Sequence, residues 1–209
     1  MFITVEGGEG VGKTTQIKAV RKWLEERGHD VVATREPGGT PLAEAIRELV
    51  ISVEQADVPP LSELLLMFAA RISHVEAVIA PALAAGKTVL CDRFVDASYA
   101  YQGGGRGLPP EQIETLENWL PDIVRPDLTI LIDAPVEVGL ERARRRGHSD
   151  RFEREAMDFF GRVRDAYLVR ARQFPRRFIV IDAGHRPPKR VTADILARLA
   201  ERLEGAHVE

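Results

Sequence analysis

The sequence predicts an α/β fold: a parallel sheet with helices on both faces. Three observations point to it. A phosphate-loop signature occupies residues 7–14, short apolar runs rich in β-branched residues recur along the chain, and helix-spaced segments separate them. Gly7-Gly8-Glu9-Gly10-Val11-Gly12-Lys13-Thr14 matches the pattern G-x-x-x-x-G-K-[ST] at every position.

Phe2-Ile3-Thr4-Val5 reads as a buried strand that feeds the glycines. From Thr15 to Leu24 a helix is expected, with Ile17, Val20 and Leu24 on one face. Strand, loop and helix supply the context the motif requires. The glycines let backbone N–H groups wrap a phosphate chain, and the helix N-terminus adds partial positive charge. Lys13 can reach the outer phosphates, and the Thr14 hydroxyl is placed for Mg²⁺. Gly7 to Thr15 is therefore the expected ATP-binding segment.

Arg27-Gly28-His29-Asp30 stops the first helix, and Val31-Val32-Ala33-Thr34 is the second strand. It runs into the turn Arg35-Glu36-Pro37-Gly38-Gly39-Thr40, with a helix from about Pro41. A long helix is expected from Ser62 to Leu83, and its stretch Leu64 to Ala70 is apolar all round, hence buried. Arg71 follows directly, sharing a face with Met67 and Phe68. A buried cation needs a partner. Arg71 either bonds a base carbonyl while an apolar neighbour packs on the ring, or pairs with a carboxylate elsewhere.

Thr88-Val89-Leu90-Cys91 is the third strand and ends at Asp92-Arg93. An acid at a strand tip beside a phosphate loop suits the Mg²⁺ water shell. Arg93 offers a fork for a phosphate, or an ion pair with a neighbour. The glycine-rich run Tyr99 to Gly107 reads as a loop over a ligand, with Tyr101 and Gln102 as stacking or amide-bonding candidates. Leu128 to Ile132 and Phe178 to Ile181 are the last two strands, followed by Asp133 and Asp182 as loop caps. Between them lies the basic run Arg142 to Arg151. Arg142 and Arg146 share a helix face, Arg144 points nearly opposite, and Glu141 is spaced to pair with Arg145. The phosphate loop supplies Lys13 as its cation, whereas phosphoryl transfer needs positive charge on both donor and transferring group. These arginines are candidates to provide it from a lid at about residues 141–153.

The 209 residues suit one domain spanning 1–209. Net charge is −3, from 29 basic and 32 acidic residues, so no global basic field would collect nucleic acid. Cys91 is the single cysteine, which excludes an internal disulfide framework. The N-terminus enters the first strand at once, leaving no room for a signal peptide, and no apolar stretch approaches the ~20 residues that span a bilayer. A cytoplasmic protein with no membrane or nucleic-acid partner is expected. A regulatory GTPase would need an Asn-Lys-x-Asp segment, which is missing.

Taken in order, the phosphate loop, Thr34 to Thr40, Asp92-Arg93, Ala100-Tyr101-Gln102-Gly103 and the arginine run resemble bacterial thymidylate kinases over nearly the whole chain. The resemblance implies transfer of the ATP γ-phosphoryl group to dTMP with Mg²⁺. It also implies a homodimer of chains with a five-stranded parallel sheet. Carried over by position, Glu9 faces the deoxyribose 3′-OH, Arg93 clamps the dTMP phosphate with Arg47 as a second contact, and Arg71 bonds thymine O4. Glu36, Ser98, Tyr101 and Gln102 belong to the same pocket, and Met67 or Phe68 packs on the base. Arg142, Arg144, Arg146 and Arg151 match the lid arginines, and Thr14 and Asp92 serve the metal. One family subtype carries an arginine inside the phosphate loop; this chain has none there, which leaves the lid to supply it. Kinases of UMP, CMP or AMP share the phosphate loop and lid. The Arg-Glu-Pro-Gly-Gly and Tyr-Gln-Gly-Gly-Gly segments argue against them.

Overall fold

In the computed structural model the described residues are 1–51, 58–145 and 157–205. Five strands, β1 (Phe2–Glu6), β2 (Val31–Arg35), β3 (Thr88–Asp92), β4 (Leu128–Asp133) and β5 (Phe178–Asp182), form one sheet in the order β2-β3-β1-β4-β5. Every neighbouring pair runs parallel. Parallel pairing needs crossovers, and the intervening helices supply them while covering both faces. β1 is buried along its whole length, as a central strand should be. Its side chains alternate: Ile3 and Val5 enter one core cluster, Phe2 another.

On the first face, α1 (Lys13–Glu25) and α9 (Pro188–Gly205) pack together, joining Val20 and Leu24 to Ile195 and Leu199. On the other, α2 (Pro41–Ile51) and α8 (Met157–Gln173) contribute Ala43, Ile46, Phe159, Phe160 and Val163 to a second cluster with Leu131. The β1–β3 register places Val5 opposite Asp92, and the Arg93 N–H donates to the Val5 carbonyl at 3.0 Å. The phosphate loop and the Arg93 turn therefore leave the sheet side by side, at the carboxyl ends where open α/β sheets gather ligands.

The long helix expected from Ser62 to Leu83 runs as α3 (Pro60–His74), a widened π turn at Val75–Ile79, and α4 (Ala80–Ala84). Pro81 has no N–H to donate and crowds the turn behind it, so bonding shifts; the Ala80 N–H reaches back to the Val75 carbonyl. As a continuous rod, Pro60–Ala84 spans 25 residues and contains an 18-residue stretch of mean hydropathy 1.5, long and apolar enough to cross a membrane by length and composition. That corrects the sequence expectation that no such stretch exists. In the fold this rod buries Glu63, Arg71 and His74, charged or polar side chains that each have partners inside the protein.

The glycine run is a second correction. Expected as a loop, Tyr99–Gly105 continues α5 (Val95–Ser98) as a π-helical segment packed on α8. A Cβ at Gly104 would lie 2.6 Å from Ala166 Cβ, and one at Gly105 2.5 Å from the Phe159 ring. Here the glycines serve close helix packing. After α6 (Pro110–Glu117) and β4 comes the lid, of which only the end of α7 (Val136–Arg145) is described; Arg146 and Arg151 lie outside the described residues.

Candidate active site

Gly7, Gly10 and Gly12 adopt φ of 141°, 68° and 99°, backbone that side chains disfavour. Gly10 is further fixed by crowding, since a Cβ there would lie 1.8 Å from the Gly139 carbonyl oxygen on α7. The loop delivers Lys13 and Thr14 to the first turn of α1. Lys13 Nζ donates to the carbonyls of Gly7 (3.1 Å) and Gly8 (3.0 Å), curling the side chain over the loop. Burial lowers its pKa and nearby Arg93 adds to the effect, while Glu9, Asp92 and Glu6 oppose it.

Two cavities open beside this loop. The first is lined by the residues from Glu9 to Thr15 together with Arg35, Asp92 and Arg142. The second is lined by Met67, Arg71, Ala97, Ser98, Tyr101 and Gln102 with Pro37 and Ile51. Glu9, Glu36, Arg47 and Arg93 belong to both walls. A group passed between the cavities must cross this shared boundary.

Arg93 is held at φ 68°, and its guanidinium sits on the shared boundary. One terminal nitrogen donates to the Gly7 carbonyl (2.8 Å) and the Tyr167 hydroxyl (3.1 Å), the other to Glu9 Oε1 (2.7 Å) and the Tyr101 hydroxyl (2.9 Å). Burial raises the pKa values of Tyr101 and Tyr167, so both keep their protons. Tyr167 in turn donates to Glu6 Oε2 at 2.8 Å, and the Phe94 N–H donates to Glu6 Oε1 at 2.7 Å. Glu6 is pushed up to about 8, first by burial and then by Asp96. Sequence reading missed both Glu6 and Tyr167. Glu6 carried a signal, an acid closing the central strand, whereas Tyr167 carried none beyond helical spacing with Phe160 and Val163.

Arg71 has the carboxylate partner that one of the two sequence alternatives requires. Its Nε donates to Glu36 Oε2 at 2.7 Å, and its terminal nitrogens donate to Ser98 Oγ (3.0 Å) and the Phe94 carbonyl (3.1 Å). The carboxylate partner therefore exists, yet Arg71 also lines the second cavity. Glu36 is itself steadied by His74 Nδ1 at 3.0 Å, whose other ring nitrogen meets Thr34 Oγ1 at 2.7 Å. Met67 lines the cavity; Phe68 does not, being buried with Leu64, Ile113 and Leu116, its ring 4.6 Å from the Arg71 guanidinium carbon. Arg47 donates to the Pro37 carbonyl at 3.2 Å.

Asp92 Oδ1 is buried and has no hydrogen-bond partner among the described residues. Such an oxygen, on the same cavity wall as Thr14, fits a hydrated divalent cation. Arg142 donates to the Ala183 (3.2 Å) and Gly184 (2.6 Å) carbonyls at the rim of the first cavity. Arg144 is exposed on α7 and lines neither cavity, and Arg145 pairs with Glu141 as its spacing suggests. Asp133 forms a two-pronged pair with Arg164 at 2.7 and 2.8 Å, and Asp182 accepts the Gly184 N–H at 2.9 Å; both are structural partners.

Comparison with known proteins agrees with this geometry. The thymidylate kinase family model matches residues 5–195. Thymidylate kinase of Chromohalobacter salexigens is 57% identical over 97% of this chain and 96% of its own length. That of Ectopseudomonas mendocina is 55% identical over 98% and 97%. The crystal structure of thymidylate kinase from Ehrlichia chaffeensis superposes with a TM-score of 0.78 at 36% identity, covering 96% of this chain and 98% of that one. With the phosphate loop, the two abutting cavities and these matches in hand, the chain belongs to the thymidylate kinase family, whose members phosphorylate dTMP to dTDP.

Proposed function

We propose that this chain, acting as one domain over residues 1–209, moves the γ-phosphoryl group of ATP onto dTMP, with ATP in the first cavity and dTMP in the second. The observation that carries this reading is the shared wall: Arg93 and Glu9 border both cavities. A single guanidinium there can hold the acceptor phosphate and face the transferring group. The acceptor is already a phosphate dianion, so no general base is needed, and catalysis reduces to alignment and charge neutralisation.

Gly7 to Thr15 cradle the donor phosphates, with Lys13 swinging from the Gly7 and Gly8 carbonyls to the outer phosphate oxygens. Thr14 and Asp92 would hold Mg²⁺, the latter through water; when bound, the cation neutralises charge on the donor phosphates. Arg142 stands at the donor rim, and with Arg144, Arg146 and Arg151 it supplies the positive charge that the loop lacks. Arg47 assists Arg93. Met67 packs on the base, Arg71 reads its O4 edge, and Ser98, Tyr101, Gln102 and Glu36 complete the pocket. Phe68 supports Arg71 from beneath.

The reading extends to assembly and place. Leu42 and Leu49 on α2, with Leu61 and Leu65 on the adjoining α3, remain exposed. A second copy of the chain would cover this apolar face, giving a homodimer. A cytoplasmic location completes the proposal. The experiment that tests the chemistry is ATP- and Mg²⁺-dependent ADP release with dTMP, dUMP, UMP, CMP and AMP as separate acceptors. A strong preference for dTMP is expected. Better turnover of a ribonucleotide would overturn the pocket assignment.

A further inference from the structure

Glu63 lies in the first turn of α3 and is fully buried, although the reaction as described above makes no use of it. The Gln102 amide nitrogen donates to Glu63 Oε1 at 2.9 Å, and an Arg106 nitrogen lies 3.4 Å from Glu63 Oε2. A carboxylate beside an arginine offers only lone pairs. Of the two ends of the Gln102 amide, only the NH₂ end can therefore face it. Turning the amide over would press oxygen against oxygen and leave a buried acceptor unsatisfied.

Glu63 thus decides which end of Gln102 remains for the cavity. Gln102 lines the second cavity beside Arg71 and Ser98, and its amide oxygen meets no donor among the described residues. Arg71 spends one hydrogen on each of Glu36, Ser98 and the Phe94 carbonyl, which leaves two of its five N–H groups. The wall accordingly offers a donor from Arg71 and an acceptor from Gln102.

We propose that Glu63 is a specificity-determining positioning residue: it locks the Gln102 amide with its oxygen toward the base, so that the site accepts a 4-oxo pyrimidine carrying N3–H and rejects a 4-amino one. This rests on the second cavity being the acceptor site. Thymine and uracil present an acceptor at O4 and a donor at N3. Cytosine reverses both, setting its amino group against Arg71 and its N3 lone pair against the Gln102 oxygen. Each mismatch strands buried polar groups, which penalises a wrong ligand more than shape does.

The test compares kcat/KM for dTMP, dUMP and dCMP in the full-length protein and in Glu63→Gln, with dCMP also read as a competitive inhibitor. A glutamine at 63 can face Gln102 with either end, so the amide is free to turn. The preference for dTMP over dCMP should fall by on the order of 10-fold or more. The dTMP to dUMP ratio should stay within about 2-fold, because those bases share the same edge and differ only by a methyl group. The KM for ATP should not move. An unchanged dTMP to dCMP ratio in a variant that binds ATP normally would overturn the inference and leave the function standing. A wild type that prefers dCMP would overturn both. If the single variant does not fold, the charge-balanced Glu63→Gln/Arg106→Gln pair is held to the same expectations.

Discussion

Glu9 Oε1 and the Arg93 guanidinium meet at 2.7 Å on the boundary between the two cavities. The carboxylate holds the arginine in place and leaves the rest of the fork to the Gly7 carbonyl and two tyrosines. An acceptor phosphate arriving here would meet a cation already oriented, which lowers the cost of ordering it at the moment of reaction.

Removing that cation should be costly. Arg93→Ala and Lys13→Ala are each expected to lower kcat on the order of 10²–10³-fold or more, and Arg93→Lys should recover little because a point charge cannot reproduce the fork. Asp133→Asn and Asp182→Asn serve as comparisons, since both carboxylates are bound to structural partners. Steady-state rates with dTMP decide it; equal losses in the two pairs would refute the assignment.

Glu6 should leave a signature in stability. Its folded pKa is raised from 4.5 to about 8, so between those values the folded state binds more protons than the unfolded one. Stability should therefore fall as pH rises through that window, by a few kcal/mol at ~1.4 kcal/mol per unit. Glu6→Gln keeps an acceptor for the Phe94 N–H and loses the titration. Urea midpoints at about pH 5 and about pH 8.5 should separate more in the wild type than in the variant. Parallel behaviour would count against a buried, protonated Glu6.

Asp92→Asn should raise the Mg²⁺ concentration giving half-maximal rate by about 10-fold or more. The KM for dTMP should change far less, because Asp92 lines the donor cavity alone. A Mg²⁺ titration at saturating ATP checks both.

Gly104→Ala places a Cβ 2.8 Å from the Arg162 carbonyl as well as 2.6 Å from Ala166. Backbone on one side cannot yield, so a loss of about 1–3 kcal/mol is expected, seen as a lowered melting temperature. The KM for dTMP should rise too, since Tyr101 and Gln102 ride on the same segment.

Much of this was legible before any coordinates. The phosphate loop, its flanking strand and helix, and the five apolar runs follow from local pattern, and local pattern decides such elements. What escaped depends on residues far apart in the chain. Glu6 and Tyr167 are 161 positions apart; Glu63 and Gln102 are 39. Each looked ordinary alone: an acid at a strand end, another in a helix's first turn, an aromatic on a buried face. Met67 and Phe68 flank Arg71 on opposite sides at ~100° per residue, so spacing places both near it and cannot choose which side is hollow. The glycine run misled for a related reason: without α8 in view, glycines that permit close packing look like glycines that permit motion.

The Val5–Asp92 register has a consequence of its own. Donor loop and acceptor clamp spring from adjacent strands whose separation, ~4.8 Å, is dictated by main-chain hydrogen bonding. The ruler across which the phosphoryl group travels is thus a piece of backbone. Substitutions can alter the charge at either end of that ruler, or the fit around it, but the ruler's length is inherited from the sheet.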